Sequence, residues 1–280
     1  MKESWLNGKK ASSLSLWDRG LHYGDGFFTT IRVEQGALLN WSAHKQRIIQ
    51  SLKAMHMPPA NAVWLEADLK TILPQLKKGS GVLKCILTRG EMGGRGYRPP
   101  QSPKLTRLVM FQSGLPRAST EALTLTISSV LWPTPDVYPG IKHLNRLAQV
   151  EALRVLPENA PEALMLDAKQ NVVSGVASAV VAKLGRTLYL PELSEAGVES
   201  TTVFALRQCA QVLGYQVHTI PLSLGRVMHM DGLALANAVR LLQPVGAVKG
   251  GIEKRFETQA WAPLADILHD FITETAWREA

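Results

Sequence analysis

The residue most open to covalent chemistry is Lys142, which follows a Pro-Gly pair and precedes a run of apolar residues at helical spacing. A lysine beside a helix N-terminus, flanked by Ile141 and Leu144, is partly removed from water. Both this loss of hydration and the positive end of the helix favour its neutral amine. A neutral amine can form an imine with an aldehyde. By position alone, a solvated lysine at the start of a helix is the simpler interpretation.

A second candidate is the glycine-rich stretch TRGEMGGRGY, which covers residues 88–97. Its four glycines let the backbone bend freely, and Arg89, Arg95 and Tyr97 project from it. Arginines on such a loop can pair with an anionic substrate. The alternative is a mobile surface hairpin whose arginines are solvated. The stretch is not a P-loop, because the GK[ST] ending is absent.

Strand and helix patterns alternate in the first third of the chain. Apolar and β-branched residues around Gln35-Gly36 predict two short strands. Apolar residues at Ile48, Leu52 and Met55, with Ser42 as the N-cap, predict an amphipathic helix. Further strands are predicted within 81–90, 106–114, 123–130, 162–167, 171–191 and 233–248, and further helices within 63–76 and 201–215.

The order of these elements indicates an α+β fold with two domains. A polar segment that carries Gly and Pro predicts a linker at 113–119. We therefore expect a smaller α/β domain at 1–112 and a larger domain at 120–280, which carries Lys142.

The composition is that of an ordinary globular protein, with 46% hydrophobic and 19% charged residues among 280. The sequence has no apolar run long enough to predict a membrane span, and its N-terminus lacks an apolar signal-peptide core. We therefore expect a cytoplasmic protein.

The net charge of +8 suits a small anionic substrate. A nucleic-acid partner is not expected, because the sequence has no stripe of interleaved basic and aromatic residues. The two cysteines are not paired in a CxxC motif and predict buried thiols, with no disulfide and no metal site.

Six blocks occur at spacings that are specific to one family: SLWDRGLHYGDGFFTTIRV, WSAHKQRI, LKCILTRGEMGGRGY, GIKHLNRLAQV, EALMLD and LANAVRLLQPV. With them the chain resembles the 4-amino-4-deoxychorismate lyases. These belong, with the D-amino-acid and branched-chain aminotransferases, to the fold-type-IV enzymes that use pyridoxal 5'-phosphate (PLP). The resemblance implies a two-domain architecture like that of D-amino-acid aminotransferase, PLP as the cofactor, and a homodimer with each site close to the partner chain.

The resemblance also assigns roles to single residues. Lys142 matches the lysine that binds PLP covalently, and Arg47 matches the arginine that binds its phosphate, although a solvated charge on a helix would look the same. Thr201 and Thr202 begin a helix whose backbone N–H groups could bind the same phosphate, or they form a plain N-terminal cap. The remaining assignments are Asn237 and Ala238 for the phosphate, Gly175 for the cofactor ring, and His22, Tyr23, Arg89, Arg95 and Tyr97 for the substrate.

The stretch NVVSGVASAVV departs from the family pattern. Most members have a glutamate where this chain has Gly175, and its carboxylate keeps the pyridine nitrogen of PLP protonated and the ring a better electron acceptor. Val180 and Val203 likewise stand where asparagine and arginine are common. An unprotonated ring with a slower or different reaction, a replacement by Ser174 or a water, and a loss of catalysis are all consistent with this change, and Gly175 also leaves room for a larger ligand.

These observations lead to one main hypothesis and two alternatives. The main hypothesis is a lyase that converts 4-amino-4-deoxychorismate to p-aminobenzoate and pyruvate, a step towards folate, with Lys142 as general base. One alternative is an aminotransferase of the same fold. The other is a PLP-binding or structural member without catalysis, for which Gly175 is the evidence.

Overall fold

The computed structural model describes residues 2–76, 79–116, 121–157, 160–250 and 253–278. Contacts divide the chain into two compact units. The first comprises Met1–Pro116, Ile141–Asn145 and Thr275–Ala280, and the second comprises Arg117–Gly140 and Arg146–Glu274. The predicted linker at 113–119 lies partly outside the described residues, because 117–119 are not among them.

The first unit contains a six-stranded antiparallel sheet in the order β2-β1-β6-β5-β3-β4. Helix α2 packs against strand β3 and helix α3 against α2. In chain order, the elements are β1 (Lys2–Leu6), β2 (Lys9–Lys10), α1 (Arg19–Tyr23), β3 (Gly26–Glu34), β4 (Ala37–Leu38), α2 (Trp41–Ala54), α3 (Ala60–Ile72), a 3-10 turn (Leu73–Leu76), β5 (Gly81–Thr88) and β6 (Thr106–Ser113).

The local sequence explains the hairpin of β3 and β4. Gln35 and Gly36 have φ angles of 49° and 78°, the left-handed conformation that a two-residue hairpin turn requires. Helix α2 follows Asn40, which also has a positive φ. The prediction of Ser42 as the N-cap is therefore wrong by two residues, because Ser42 lies inside the first turn and is exposed.

The second unit contains a nine-stranded mixed sheet in the order β12-β11-β10-β13-β14-β7-β8-β9, with β15 paired to β14. Leu125, Leu164, Val180, Leu233 and Val245 lie in its buried core. In chain order, the elements are β7 (Leu123–Ile127), α4 (Leu147–Arg154), β8 (Ala163–Leu166), β9 (Val172–Gly175), β10 (Ala179–Leu184), β11 (Thr187–Pro191), α5 (Thr201–Val212), β12 (Gln216–Ile220), α6 (Leu224–Val227), β13 (Gly232–Asn237), β14 (Leu241–Lys249), β15 (Lys254–Arg255), a 3-10 turn (Gln259–Trp261) and α7 (Ala262–Glu274).

Helix α4 is shorter than the apolar pattern predicted, which ran at helical spacing from Leu144 to Leu156. It begins at Leu147, so Lys142 is five residues away from its N-terminus and is not affected by the helix dipole. Its apolar stripe faces outward, since Leu147, Val150 and Leu153 are 79%, 60% and 50% exposed. Among the described residues, the structure contains no helix with the length and apolar character of a membrane span.

Candidate active site

Strand pairing, rather than a helix, positions Lys142. Its carbonyl oxygen accepts a hydrogen bond from Phe28 N at 2.9 Å, and Leu144 N donates to Gly26 O at the same distance. The segment around Lys142 thus lies along the edge of β3. This explains why contacts group Lys142 with the first unit, whereas the sequence interpretation assigned it to the second domain.

The amine of Lys142 lies against an aromatic ring. Its Nζ is 4.8 Å from the centroid of the Phe28 ring, and the residue is half-buried. On the neighbouring strand, Lys84 Nζ is 4.5 Å from the same centroid, and burial lowers the pKa of Lys84. The Phe28 ring therefore contacts the amines of both Lys142 and Lys84.

Arg47 is held by a buried hydrogen-bonded group on the same strand. Its Nη1 donates to Thr29 Oγ1 at 3.4 Å, and that oxygen lies 2.7 Å from His44 Nδ1. Burial, and secondly the charge of Arg47, hold the pKa of His44 well below its usual value, so the imidazole is neutral at pH 7. Thr29 follows Phe28, and β3 therefore positions both Lys142 and Arg47.

A half-buried aspartate binds two arginines near the start of β3. Asp25 accepts from Arg19 Nε at 2.7 Å and from Arg89 Nε at 2.9 and 3.0 Å. Arg89 also donates from Nη2 to Met55 O at 2.9 Å. Arg89 is buried in this cluster, and its predicted contact with a substrate stays a prediction.

Three other residues that were predicted to contact the substrate lie close together beside Arg19: His22, Tyr23 and Tyr97. The rings of Tyr23 and Tyr97 are 5.3 Å apart, those of His22 and Tyr23 are 5.9 Å apart, and the guanidinium of Arg19 is 4.9 Å from Tyr23. Arg19 also donates to Tyr97 O at 2.8 Å. Tyr97 is 83% exposed, and Arg95 and His22 are exposed as well.

Sequence reasoning missed Asp18 and Arg19, which anchor the glycine-rich loop. Asp18 caps α1 through Gly20 N and accepts from the hydroxyls of Thr88 and Thr106 at 2.9 and 2.7 Å. Arg19 N donates to Gly90 O at 2.8 Å. An Asp-Arg pair in sequence is indistinguishable from a solvated pair, because most of its partners lie far along the chain.

In the second unit, Thr201 and Thr202 are the first two residues of α5 and are buried. Ser200 is the N-cap, and its hydroxyl accepts from Val203 N at 3.3 Å. The first backbone N–H groups of a helix have no partner within the helix, and they carry the positive end of its dipole. The position predicted for the phosphate is thus a helix N-terminus.

Asn237 ends β13 and orders the turn that contains Ala238. Its Oδ1 accepts from Val239 N at 3.0 Å and Arg240 N at 2.8 Å. Its Nδ2 donates to Ser178 Oγ at 3.0 Å. The Asn237 side chain therefore fixes a backbone turn and connects it to the loop after β9.

The carboxyl group of Glu162 fills the space beside Gly175. A Cβ atom at Gly175 would lie 2.3 Å from Glu162 Oε1. Glu162 is buried and accepts from Ala177 N at 2.7 Å and Ser178 Oγ at 2.9 Å. Burial raises the pKa of Glu162, although its hydrogen bonds act in the opposite direction. Sequence reasoning missed Glu162, which looked like the start of a strand.

A cavity of about 450 Å³ lies in the second unit and is lined by residues of β9, β10, β11 and α5. Val180 and Val203 form part of its wall, where the family commonly has asparagine and arginine. Glu199 and Arg207 are its charged lining residues. The two valines give this cavity an apolar side.

The described residues provide the groups that PLP requires. Its aldehyde needs an amine, which Lys142 supplies, and its phosphate needs cationic or N–H donors, which Arg47 and the N-terminus of α5 supply. The chemistry of these donor groups therefore fits PLP.

Comparison with known proteins gives similarity over nearly the whole chain. The profile of the family "Amino-transferase class IV" matches residues 26–248. An aminodeoxychorismate lyase of Vibrio harveyi is 25% identical over 253 residues, which cover 87% of this chain and 90% of the relative. A putative branched-chain-amino-acid aminotransferase of Methanocaldococcus jannaschii is 25% identical over 256 residues, covering 89% and 88%. The crystal structure of 4-amino-4-deoxychorismate lyase from Pseudomonas aeruginosa superposes with a TM-score of 0.85 at 30% identity, covering 95% of this chain and 98% of that one.

Proposed function

Since this chain belongs to the amino-transferase class IV family, we propose that it is a PLP-dependent lyase that converts 4-amino-4-deoxychorismate to p-aminobenzoate and pyruvate. The family match and the superposition confirm the fold-type-IV architecture. The lyase of Pseudomonas aeruginosa at 30% identity supports this activity over the aminotransferase alternative. The observation that carries the proposal is the position of Lys142, whose backbone pairs with β3 and whose amine lies against the Phe28 ring.

The proposed roles follow from the family resemblance and from the donor group that each residue carries. Lys142 Nζ binds PLP, and Arg47 and the N-terminus of α5 bind its phosphate. When bound, PLP supplies an electron-accepting ring that stabilises negative charge on the substrate carbon next to the nitrogen. When the substrate amine has displaced it from the cofactor, the free Lys142 amine would be the general base that accepts the proton from this carbon.

The charges of the first unit suit a substrate with two carboxylates. Arg19 and Arg89 share the carboxylate of Asp25. Arg95 adds an exposed guanidinium on the loop that Arg19 anchors. We propose that this loop attracts the carboxylates, while Tyr23 and the partly aromatic surface around it contact the substrate ring.

The decisive experiment labels the lysine. Purified protein with PLP should show a visible absorption band, and borohydride should fix the cofactor onto Lys142, as mass spectrometry of peptides will show. Lys142→Ala should abolish both the band and the label. Lys84→Ala is the matched control, because Lys84 contacts the same Phe28 ring, and it should keep both. A band that survives in Lys142→Ala, or a label on Lys84, contradicts the assignment.

Product analysis separates the candidate activities. Release of pyruvate from 4-amino-4-deoxychorismate supports the lyase and contradicts a member without catalysis. Steady production of glutamate with a keto acid would instead favour an aminotransferase, which the similarity to the Methanocaldococcus jannaschii relative keeps as the second candidate.

We further propose a homodimer that acts in the cytoplasm in folate biosynthesis. The exposed apolar stripe of α4 supports self-association. Cys85 and Cys209 are free and buried, which suits a reducing compartment. The partners of the chain are then a small anionic substrate and a second copy of itself, without nucleic acid or membrane.

A further inference from the structure

We propose that the cavity of the second unit is a binding site for a small monocarboxylate with an aromatic or branched apolar body, and that Arg207 binds its carboxylate. The cavity measures about 450 Å³, within the range of roughly 300–1,000 Å³ that is usual for small-molecule sites. Of the described residues that line it, none carries a side chain assigned to PLP or to the substrate. The inference therefore goes beyond the proposed function and does not depend on it.

One face of α5 forms one wall of the cavity. Ser200, the N-cap, is followed by Val203, Phe204 and Arg207 at the spacing i, i+3, i+4 and i+7, which places all four on the same side of the helix. The pair Thr201–Thr202 is buried on another side. The cavity thus extends along the side of α5 and is separate from the two threonines assigned to the phosphate.

The facing wall comes from the sheet and is apolar. It includes Val173 of β9, Val180 of β10 and Leu190 of β11, all of them buried. With Val203 on the helix, these branched side chains offer no hydrogen-bonding group to a ligand. The body that fits between the two walls is therefore apolar, and its removal from water stabilises the complex.

Arg207 provides a cation at the exposed edge of this cavity. Its Nη2 donates to Thr219 Oγ1 of β12 at 2.7 Å, and Thr219 is exposed. Among the described residues, no carboxylate pairs with Arg207. A guanidinium has five N–H donors, so those that Thr219 does not use can bind a carboxylate.

Glu199 is the other charged residue of the lining, and it limits the ligand to one carboxylate. It precedes the N-cap, and its Cγ would lie 3.3 Å from a Cβ atom at Gly140. From Ser200 to Arg207 the helix rises by about 10 Å, so the two charges lie towards opposite ends of the cavity. A second carboxylate at the Glu199 end would be repelled. The proposed product p-aminobenzoate belongs to the accepted class, whereas a substrate with two carboxylates does not.

Calorimetric titration of the PLP-loaded protein with benzoate tests the site. Arg207→Gln should weaken binding at least about tenfold, the loss of a charge-assisted hydrogen bond. Val203→Phe should also weaken it at least about tenfold, because the ring fills the cavity while Arg207 remains. Arg226→Gln is the matched control, since Arg226 is an exposed arginine of α6 outside the cavity, and it should bind benzoate as the native protein does.

Terephthalate tests the preference for one carboxylate, because it adds a second carboxylate at the far end of the same ring. The native protein should bind it at least about tenfold more weakly than benzoate, the scale of one unfavourable charge contact. Glu199→Gln should reduce this difference. Equal affinities for the two compounds in the native protein would overturn the proposed ligand class.

Lys142→Ala separates this cavity from the candidate active site. It should bind benzoate as the native protein does, and a loss of binding would place benzoate at the active site and overturn the inference. Unchanged binding by Arg207→Gln, or no binding of benzoate by the native protein, would overturn it as well. A native protein that binds benzoate through Arg207 but forms no visible band with PLP would instead contradict only the proposed function.

Discussion

The neutral His44 lies one helical turn from Arg47 and shares the Thr29 hydroxyl with it, and this makes stability depend on pH. Burial and Arg47 lower the pKa of His44 in the folded chain. The unfolded chain takes up a proton at this residue below about pH 6.5, and the folded chain does not. The free energy of unfolding is therefore not reduced by His44 above about pH 6.5. Below that pH it falls by up to about 1.4 kcal/mol per pH unit.

We expect this dependence to appear in urea unfolding at pH 7.5 and pH 5.5. The native protein should lose more stability between the two than His44→Asn, which retains a hydrogen-bonding group but no imidazole. His218→Asn, at an exposed position of β12, is the control and should behave like the native protein. Equal losses in His44→Asn and the native protein would show that His44 does not contribute.

At the scale of single residues, the sequence predicted some site residues and missed others for a physical reason. Lys142 and Arg47 stand in motifs whose spacing is specific. Arg19 and Glu162 have partners in loops farther along the chain, so no local pattern distinguishes them from solvated charges. The room for a larger ligand that Gly175 suggested is occupied by the carboxyl group of Glu162, the residue just before the neighbouring strand β8.

At the scale of elements, Gly90 sets the course of the glycine-rich loop as it leaves β5. Its φ is +81°, and a Cβ atom there would lie only 1.9 Å from Lys104 O. Gly90→Ala should therefore destabilise the protein by about 2–4 kcal/mol, because the backbone itself must move. Gly94→Ala, in the same loop with open space around the Cβ position, should change stability by no more than about 0.5 kcal/mol. Midpoints of urea unfolding measure both, and equal effects would show that the loop tolerates a displaced Gly90.

The elements themselves were largely predictable where one face is buried. The hairpin of β3 and β4 and the helix α5 followed from alternation and helical periodicity. The length and burial of α4 did not, because periodicity shows that a helix has an apolar face but not what covers that face. Helix α7 was not predicted, although Leu264, Leu268 and Ile272 recur at helical spacing and are buried.

At the scale of the molecule, the two units are not continuous in sequence. Leu38 and Trp277 exchange two backbone hydrogen bonds of 2.9 and 3.0 Å, and the Trp41 and Trp277 rings stack at 5.1 Å. These contacts join the C-terminal segment to the first unit, as the pairing with Phe28 joins Lys142. A sequence read in order predicts contiguous domains, because long-range strand pairing leaves no local pattern.

The proposed homodimer gives the last prediction, which concerns the outward stripe of α4. Exposed apolar side chains at Leu147, Val150 and Leu153 cost free energy in water, and a second copy of the chain would bury them. Light scattering after gel filtration should give twice the 30.7 kDa of one chain. Val150→Lys should shift the protein towards the monomer, since a charge in an apolar interface is costly. Val63→Lys is the control, because Val63 on α3 is 67% exposed against 60% for Val150, and it should leave the mass unchanged. A native monomer would contradict the dimer, and a dimer that tolerates Val150→Lys would place its interface on another surface.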